Sequence, residues 1–197
     1  MTDTEASRVD GRSARSERTR RAIVAAHLQL LEEGDLKPTG ERIAERAGVS
    51  LRTLWTNFKD METLFAATGE LVKERQDAMY RRIEPELGLA DRVEEFCTQR
   101  VEVLEMLAPS ARASQLREPF SAQLRINRAR NIARVRRQIE EVFDTELASA
   151  GGGRDELVNA LTVACTWSAW SMMRDELTMP IDVAKSVMRR TVSALLG

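Results

Sequence analysis

Two cysteines, Cys97 and Cys165, in a chain of 197 residues are too few for a disulfide framework, and they read as reduced thiols. A single histidine, His27, leaves general acid–base chemistry without its commonest carrier. There is no Cys/His cluster and no nucleophile elbow. Gly151-Gly152-Gly153 has neither a preceding strand pattern nor a following Lys-Ser/Thr pair, so it reads as a flexible connection and not a phosphate loop. Together these absences argue against an enzyme and call for no metal and no cofactor. No apolar run approaches the roughly 20 residues of a membrane span, and the amino terminus lacks a signal-peptide core. A cytoplasmic protein without membrane contact is expected. The formal net charge of −1 excludes a nonspecific polycation, so any basic surface must be local. Strand signals are scarce while Ala, Leu, Glu and Arg dominate, which predicts an all-α chain.

What is present is concentrated in Thr39–Phe58, which has the layout of two short helices joined by a tight turn. Thr39 can cap the first, whose inner face carries Ile43, Ala44 and Ala47 at helical spacing. Gly48 supplies a residue able to enter a left-handed turn, and Val49 plugs the angle between the helices. Ser50 can cap the second, with Leu54 and Phe58 inward. Leu51, Arg52, Trp55, Thr56 and Asn57 then face outward, where a recognition helix meets the major groove. A helix-turn-helix makes double-stranded DNA the leading partner.

The pattern Thr-x-x-x-Ile-Ala-x-x-Ala-Gly-Val-Ser-x-x-Thr-Leu-aromatic-x-x-Phe resembles the DNA-binding signature of the TetR family of one-component transcriptional regulators. The resemblance extends upstream through Arg20–Ala26, Leu30-Leu31 and Gly34, and downstream through Asp60–Phe65, so it covers roughly residues 18–66. It departs from the family at three positions. Trp55 stands where tyrosine is usual, Met61 where lysine is common, and Gly40 where a bulkier residue is usual. The remainder matches only in length and helical pattern, as expected of a family whose second domain varies with its ligand. The resemblance implies a homodimeric repressor, released from a palindromic operator by a small-molecule effector.

Periodicity divides the chain into a basic arm at 1–16 expected to be disordered, a helix-turn-helix domain at 17–62, and a helical ligand-binding and dimerisation domain at 63–197, with about nine helices in all. The arm and its junction carry Arg8, Arg12, Arg15, Arg18, Arg20 and Arg21, which can follow phosphates, enter a minor groove, or form a solvated tail. Helix one is expected from about Ser16 to Glu33, with His27 near its inner stripe in a structural role. Helix four should run from Asp60 to Glu84-Pro85, connecting the domains. Helix five should span Asp91–Leu107 and stop at Pro109, with a short helix at Ser110–Arg117. A long helix should follow from Pro119 to near Ala150. Helix eight, about Arg154–Glu176, is apolar on nearly every side and implies a partner subunit. Helix nine follows Pro180.

Three residue sets come from this reading. For DNA, Leu51, Arg52 and Thr56 are base-edge candidates, with Arg52 able to bridge guanine O6 and N7. Thr39, Ser50, Thr53, Trp55, Asn57 and Lys59 are placed for the helix cap and phosphates. For an effector, Met79, Phe96, Cys97, Arg100, Val101, Trp167 and Trp170 are candidates. Arg100 lies on an apolar stripe and needs either an internal carboxylate, the favoured partner, or an anionic ligand group. For the dimer, the candidates are Leu161, Met172, Ala184, Val187, Met188, Thr191 and Leu195. The run Arg125, Arg128, Arg130, Arg134, Arg136, Arg137 reads as a solvated face partly paired with Glu84, Glu86, Glu94 or Glu95. An alternative function is a redox-responsive regulator acting through Cys97 or Cys165, against which stand their apolar surroundings.

Overall fold

In the computed structural model the backbone is described from Asp3 to Gly197 and side chains from Ala14 onward. The described chain is all-helical. Its helices are α1 (Asp3–Glu32), α2 (Gly40–Arg46), α3 (Leu51–Asn57), α4 (Met61–Met79), α5 (Leu89–Arg117), α6 (Ala122–Val142), α7 (Asp144–Ser149), α8 (Arg154–Ala164), α9 (Trp167–Ser171) and α10 (Ile181–Leu196). Residues Met1–Glu74 with Pro109–Arg125 form one compact unit, and Arg75–Ala108 with Ile126–Gly197 form a second. The first unit therefore takes in most of α4 and a later stretch of chain, where the sequence reading drew its boundary at 62/63.

The first unit has a core of Ile23, Val24, Leu30, Ile43, Ala44, Leu54, Phe58 and Leu64, the apolar stripes of α1 to α4. His27 is buried with them, its Nδ1 2.8 Å from Thr68 Oγ1, and Thr68 in turn donates to the Leu64 carbonyl. Burial, helped by the charge of Arg117, pulls its pKa down to about 4, so the ring is neutral. The expected structural role for this histidine agrees with that environment.

The second unit has its own core. Phe96 and Phe143 meet edge to face at 5.2 Å, with Val93, Leu104, Ile139, Leu147, Val158, Leu161, Trp170 and Met188 around them. A largely buried ion pair ties α5 to α7, Arg92 reaching Glu146 at 2.5 and 2.9 Å while also donating to the Leu87 and Val142 carbonyls.

Several helix ends differ from the sequence reading, each for a local reason. Helix α1 begins at Asp3, not near Ser16, so the segment expected to be a disordered arm continues the helix; Glu5, Ala6, Arg8 and Arg12 are helix formers and no proline interrupts them. The side chains of Arg8 and Arg12 lie outside the described residues. Helix α4 stops at Met79, short of Ile83, where the Gln99 side chain accepts the Arg81 N–H that further winding would have used. Pro109 does not end α5, which runs on to Arg117. A proline removes one backbone hydrogen bond, and the Ala- and Arg-rich turns after it, Ala111 to Arg117, favour continuation. Pro119 sits in a short 3₁₀ turn, and α6 starts at Ala122. The expected long helix to Ala150 is broken at Phe143, giving α7. Helix eight is likewise split. Thr162 and Thr166 turn their hydroxyls back onto the Val158 and Val163 carbonyls, a competition that bends helices. Helix α8 ends at Ala164, Thr166 is extended, and α9 passes into a π-helical turn at Met172–Glu176.

Candidate nucleic-acid interface

Within the first unit, the two short helices are built by caps the sequence prescribes. The Thr39 side chain accepts from the Arg42 N–H, and Ser50 Oγ accepts from the Thr53 N–H at 3.1 Å. Between them Gly48 has φ of +66°, a left-handed conformation in which a β-carbon would be strained. The Val49 N–H reaches back to the Ala44 carbonyl at 3.0 Å, closing the turn. Leu54 and Phe58 point inward and are fully buried.

The opposite face of α3 is open. Ser50, Leu51, Arg52, Trp55, Thr56 and Lys59 are exposed, while Thr53 and Asn57 are half-buried. Four of the polar side chains are spent on the helix itself. Thr56 Oγ1 donates to the Arg52 carbonyl, Asn57 Nδ2 to the Thr53 carbonyl, and Ser50 and Thr53 pair at 2.8 Å. Such bonds fix rotamers, so these groups meet a ligand in set positions. Arg52 and Lys59 have no ion pair within the described residues and present their charge to solvent.

Two supports of this face escaped sequence reasoning. Arg20 on α1 donates to the Asn57 carbonyl at 2.8 Å and lies over the Phe58 ring at 4.2 Å. It therefore caps the carboxyl end of α3 instead of belonging to a free arm. The second is Gly40. A β-carbon there would fall 2.6 Å from Trp55 Cζ2 and 3.3 Å from Leu51 Cδ1. Two of the three departures from the TetR pattern, Gly40 and Trp55, are thus one feature: the larger indole occupies the space that the missing side chain leaves. Spacing alone could not pair them, because they lie on different helices. Helix α2 is itself pinned by Arg46, which holds Glu33 through two 2.6 Å bonds, and by Arg42 on Asp35 at 2.6 Å.

The effector candidates divide. Phe96, Cys97, Val101 and Trp170 are brought together in the core of the second unit, with Trp167 packed partly against it. Met79 is half-buried at the end of α4 and is not in that cluster. The favoured internal carboxylate for Arg100 is absent. Its residue is 4 % exposed, its Nε has no hydrogen-bond partner, and burial pulls its pKa below the usual guanidinium value with no carboxylate beside it to offset the shift. Of the acids on α5, Glu102, two residues away, takes Arg81 at 2.8 Å. Glu94 takes Lys185 at 2.6 Å, and Glu105 takes the Trp170 indole at 2.7 Å and Arg174 at 3.2 Å. Both thiols are buried and pushed up to about 12, chiefly by desolvation, so neither is poised as a redox nucleophile.

The dimer candidates also divide. Leu161, Ala184 and Met188 are buried in the second unit's own core, which corrects their assignment to an interface. On α10 it is Ala184, Met188 and Val192 that face inward. Met172, Val187 and Thr191 are exposed and Leu195 is half-buried. Val163, 68 % exposed on α8, and Leu177, Ile181 and Val183 join them as large apolar groups in solvent, none of them among the interface candidates from the sequence. The arginine run is paired differently from the expectation. Arg134 meets Asp77, Arg136 meets Glu140 at 3.4 Å and Asn159 at 2.6 Å, and Arg125 donates to the Glu118 and Pro119 carbonyls. Each finds an acceptor close by in sequence or on an adjoining helix, ahead of the acids named from composition.

No helix among the described residues is long and apolar enough to cross a membrane, and no group of His, Cys, Asp and Glu there could hold a metal ion. No protein-family model matches the chain, and no curated protein sequence does. Among solved structures, the fold is similar to that of a transcriptional regulator from Rhodococcus sp. Rha1. The TM-score is 0.62 at 16 % identity, covering 92 % of this chain and 95 % of the other.

Proposed function

We propose that this chain is a TetR-like, DNA-binding transcriptional regulator that acts as a homodimer. The observation that carries the reading is the face of α3. A doubly capped, rigidly seated helix leaves Leu51, Arg52, Trp55 and Thr56 in solvent, with Lys59 at its exit and unpaired. A core built so tightly on one side of a seven-residue helix has no folding reason to display an arginine, a tryptophan and a leucine on the other. Those groups match a major-groove reader, Arg52 for guanine and Leu51 for a thymine methyl, with Trp55 and Lys59 on phosphates. The fold likeness to a transcriptional regulator supports this reading.

Dimerisation is supported by the apolar groups left in solvent on α8, on α10 and between them. Along α10, Val183, Val187 and Ala194 fall on one exposed face opposite the buried Ala184, Met188 and Val192. Two such faces from two copies would bury each other and set two α3 helices on one duplex. The operator is then a palindrome whose half-sites are roughly 34–36 Å apart. An effector bound in the second unit acts by favouring one spacing of the recognition helices over another, through α4, whose residues belong to both units. Repression relieved by that effector is the mode this implies.

The test is selection of duplexes from a random library by the purified protein, followed by salt titration. Enrichment of a palindrome, with affinity falling steeply in salt, is the expected outcome. Failure to prefer any sequence over random DNA refutes it.

A further inference from the structure

Arg100 presents a problem that the fold does not solve. It lies on α5, one turn from Phe96 and Cys97 on one side and Leu104 on the other, all of them buried. A guanidinium keeps its charge near neutral pH, and taking it out of water without a counter-ion is strongly destabilising. The usual remedy, a carboxylate within reach, is missing, and Nε donates to nothing. The neighbouring thiols of Cys97 and Cys165 cannot serve, because burial holds both neutral, with pKa values pushed up to about 12. A methionine would fill the same space at no electrostatic cost. An arginine there is explained if the missing counter-charge comes from outside the chain.

We propose that Arg100 is the anchor of a binding site for an organic monocarboxylate, whose carboxylate bridges the guanidinium while its apolar body lies among the core side chains of the second unit. Each element of the class follows from the surroundings. One uncompensated positive charge asks for one negative charge, and a planar carboxylate accepts two parallel N–H bonds from the guanidinium fork. A phosphate dianion would leave excess charge and unsatisfied oxygens, since Lys185 and Arg189, the cations that act on neighbouring Cys97, are held by Glu94, and Phe96, Val101, Leu104 and Met173 offer no donors. The same apolar groups favour an aliphatic or aromatic tail over a polar one. This names the chemical class of the effector, and for its regulatory meaning it rests on the reading above.

The experiment uses the full chain without DNA. Thermal unfolding and calorimetric titration are run with hexanoate, octanoate, decanoate and 4-phenylbutyrate, and with octanamide and octyl phosphate as controls. At least one carboxylate should raise the unfolding temperature. Octanamide, which keeps the tail and loses the charge, should bind about tenfold or more weakly than octanoate, the loss expected for a desolvated charged hydrogen bond. Arg100→Met should abolish the difference between acid and amide, and Arg100→Lys should restore part of it. If Arg100→Met does not fold, the acid–amide comparison on the native chain still decides. The proposal is overturned if no carboxylate binds, if acid and amide bind alike, if octyl phosphate outcompetes every carboxylate, or if Arg100→Met folds and retains carboxylate affinity. Operator binding is no part of these readouts. A chain that binds carboxylates but no duplex would leave this site standing and remove the regulatory reading; the reverse result would remove the site alone.

Discussion

Substituting Gly40 by alanine should separate stability from DNA affinity with opposite signs. The new β-carbon would lie 2.6 Å from Trp55 Cζ2, so the indole must retreat by roughly 1 Å to reach ordinary contact. It can do so, because Trp55 is 38 % exposed and nothing buries its outer edge. The folded state therefore escapes most of the clash. It also gains from replacing glycine in the first turn of α2, by about 0.5–1 kcal/mol. The indole N–H, however, must meet a phosphate oxygen within about 3 Å, and a displacement of that size breaks the bond. At about 1.5 kcal/mol for a hydrogen bond to a charged acceptor, two half-sites together lose about 3 kcal/mol, roughly a hundredfold in Kd. The double substitution Gly40→Ala with Trp55→Tyr removes the colliding ring edge and should recover part of that affinity, with a coupling of about 0.5–3 kcal/mol between the positions. Fluorescence anisotropy on the selected operator measures all four corners of the cycle, and thermal denaturation measures stability in parallel. Additive effects on Kd, or an unchanged Kd in Gly40→Ala, would refute the pairing of the two residues.

Three further outcomes are expected. Arg52→Ala should cost about 1–3 kcal/mol and relax specificity at one base position, whereas Lys59→Ala should weaken all sequences alike and reduce the salt slope; identical behaviour across a site library would show the roles to be misassigned. Val187→Glu places a charge on the exposed apolar face of α10 and should give a folded monomer by sedimentation that no longer holds the operator, so a monomer with full operator affinity removes the dimer from the mechanism. His27 is held neutral by burial, with its pKa depressed from 6.5 to about 4, so the unfolded chain binds the extra proton first. Its contribution is therefore complete above about pH 6.5 and is lost as pH falls from there toward 4, by on the order of 3 kcal/mol. His27→Gln should flatten that part of the stability curve, and a slope unchanged in the variant would mean other groups set it.

The helix-turn-helix was legible because its signals are local. Thr39, Ser50 and Gly48 each act on backbone within four residues, and the inward positions repeat at helical spacing, so side chain and structure can be read together. The supports of α3 were not legible for the complementary reason. Arg20 reaches the Asn57 carbonyl across 37 positions of sequence. In a row of arginines its pattern does not differ from that of Arg18 or Arg21, which are exposed. Helix ends failed where a competitor outweighed propensity: a glutamine side chain at Arg81, and threonine hydroxyls at Thr162 and Thr166. A proline at 109 failed in the other direction, since one missing N–H does not outweigh helix formers on both sides.

In the second unit the difficulty is of another kind. An amphipathic stripe says that a face is covered, not by what. Ala184 and Met188 carry a stripe that suits a protomer's own core as well as a partner's, and only the fold shows that the core takes them. The proposed interface is left with the weaker line of Val183, Val187 and Ala194, which small and β-branched residues make faint on any hydropathy scale. Arg100 is the counterexample. A charge on an apolar stripe is visible in the sequence, and it demands a partner wherever it is buried. What the sequence leaves open is which acid answers it. Glu102, two residues along α5, goes to Arg81, and neither Glu94 nor Glu105, at six and five residues, returns to the same helix face. Each is instead drawn to a cation or an indole on a later helix, Lys185 for one and Trp170 with Arg174 for the other. Those two pairings leave Arg100 as the charge in this core that the chain itself does not neutralise, which is why ligand chemistry is better sought there than among the aromatic side chains around it.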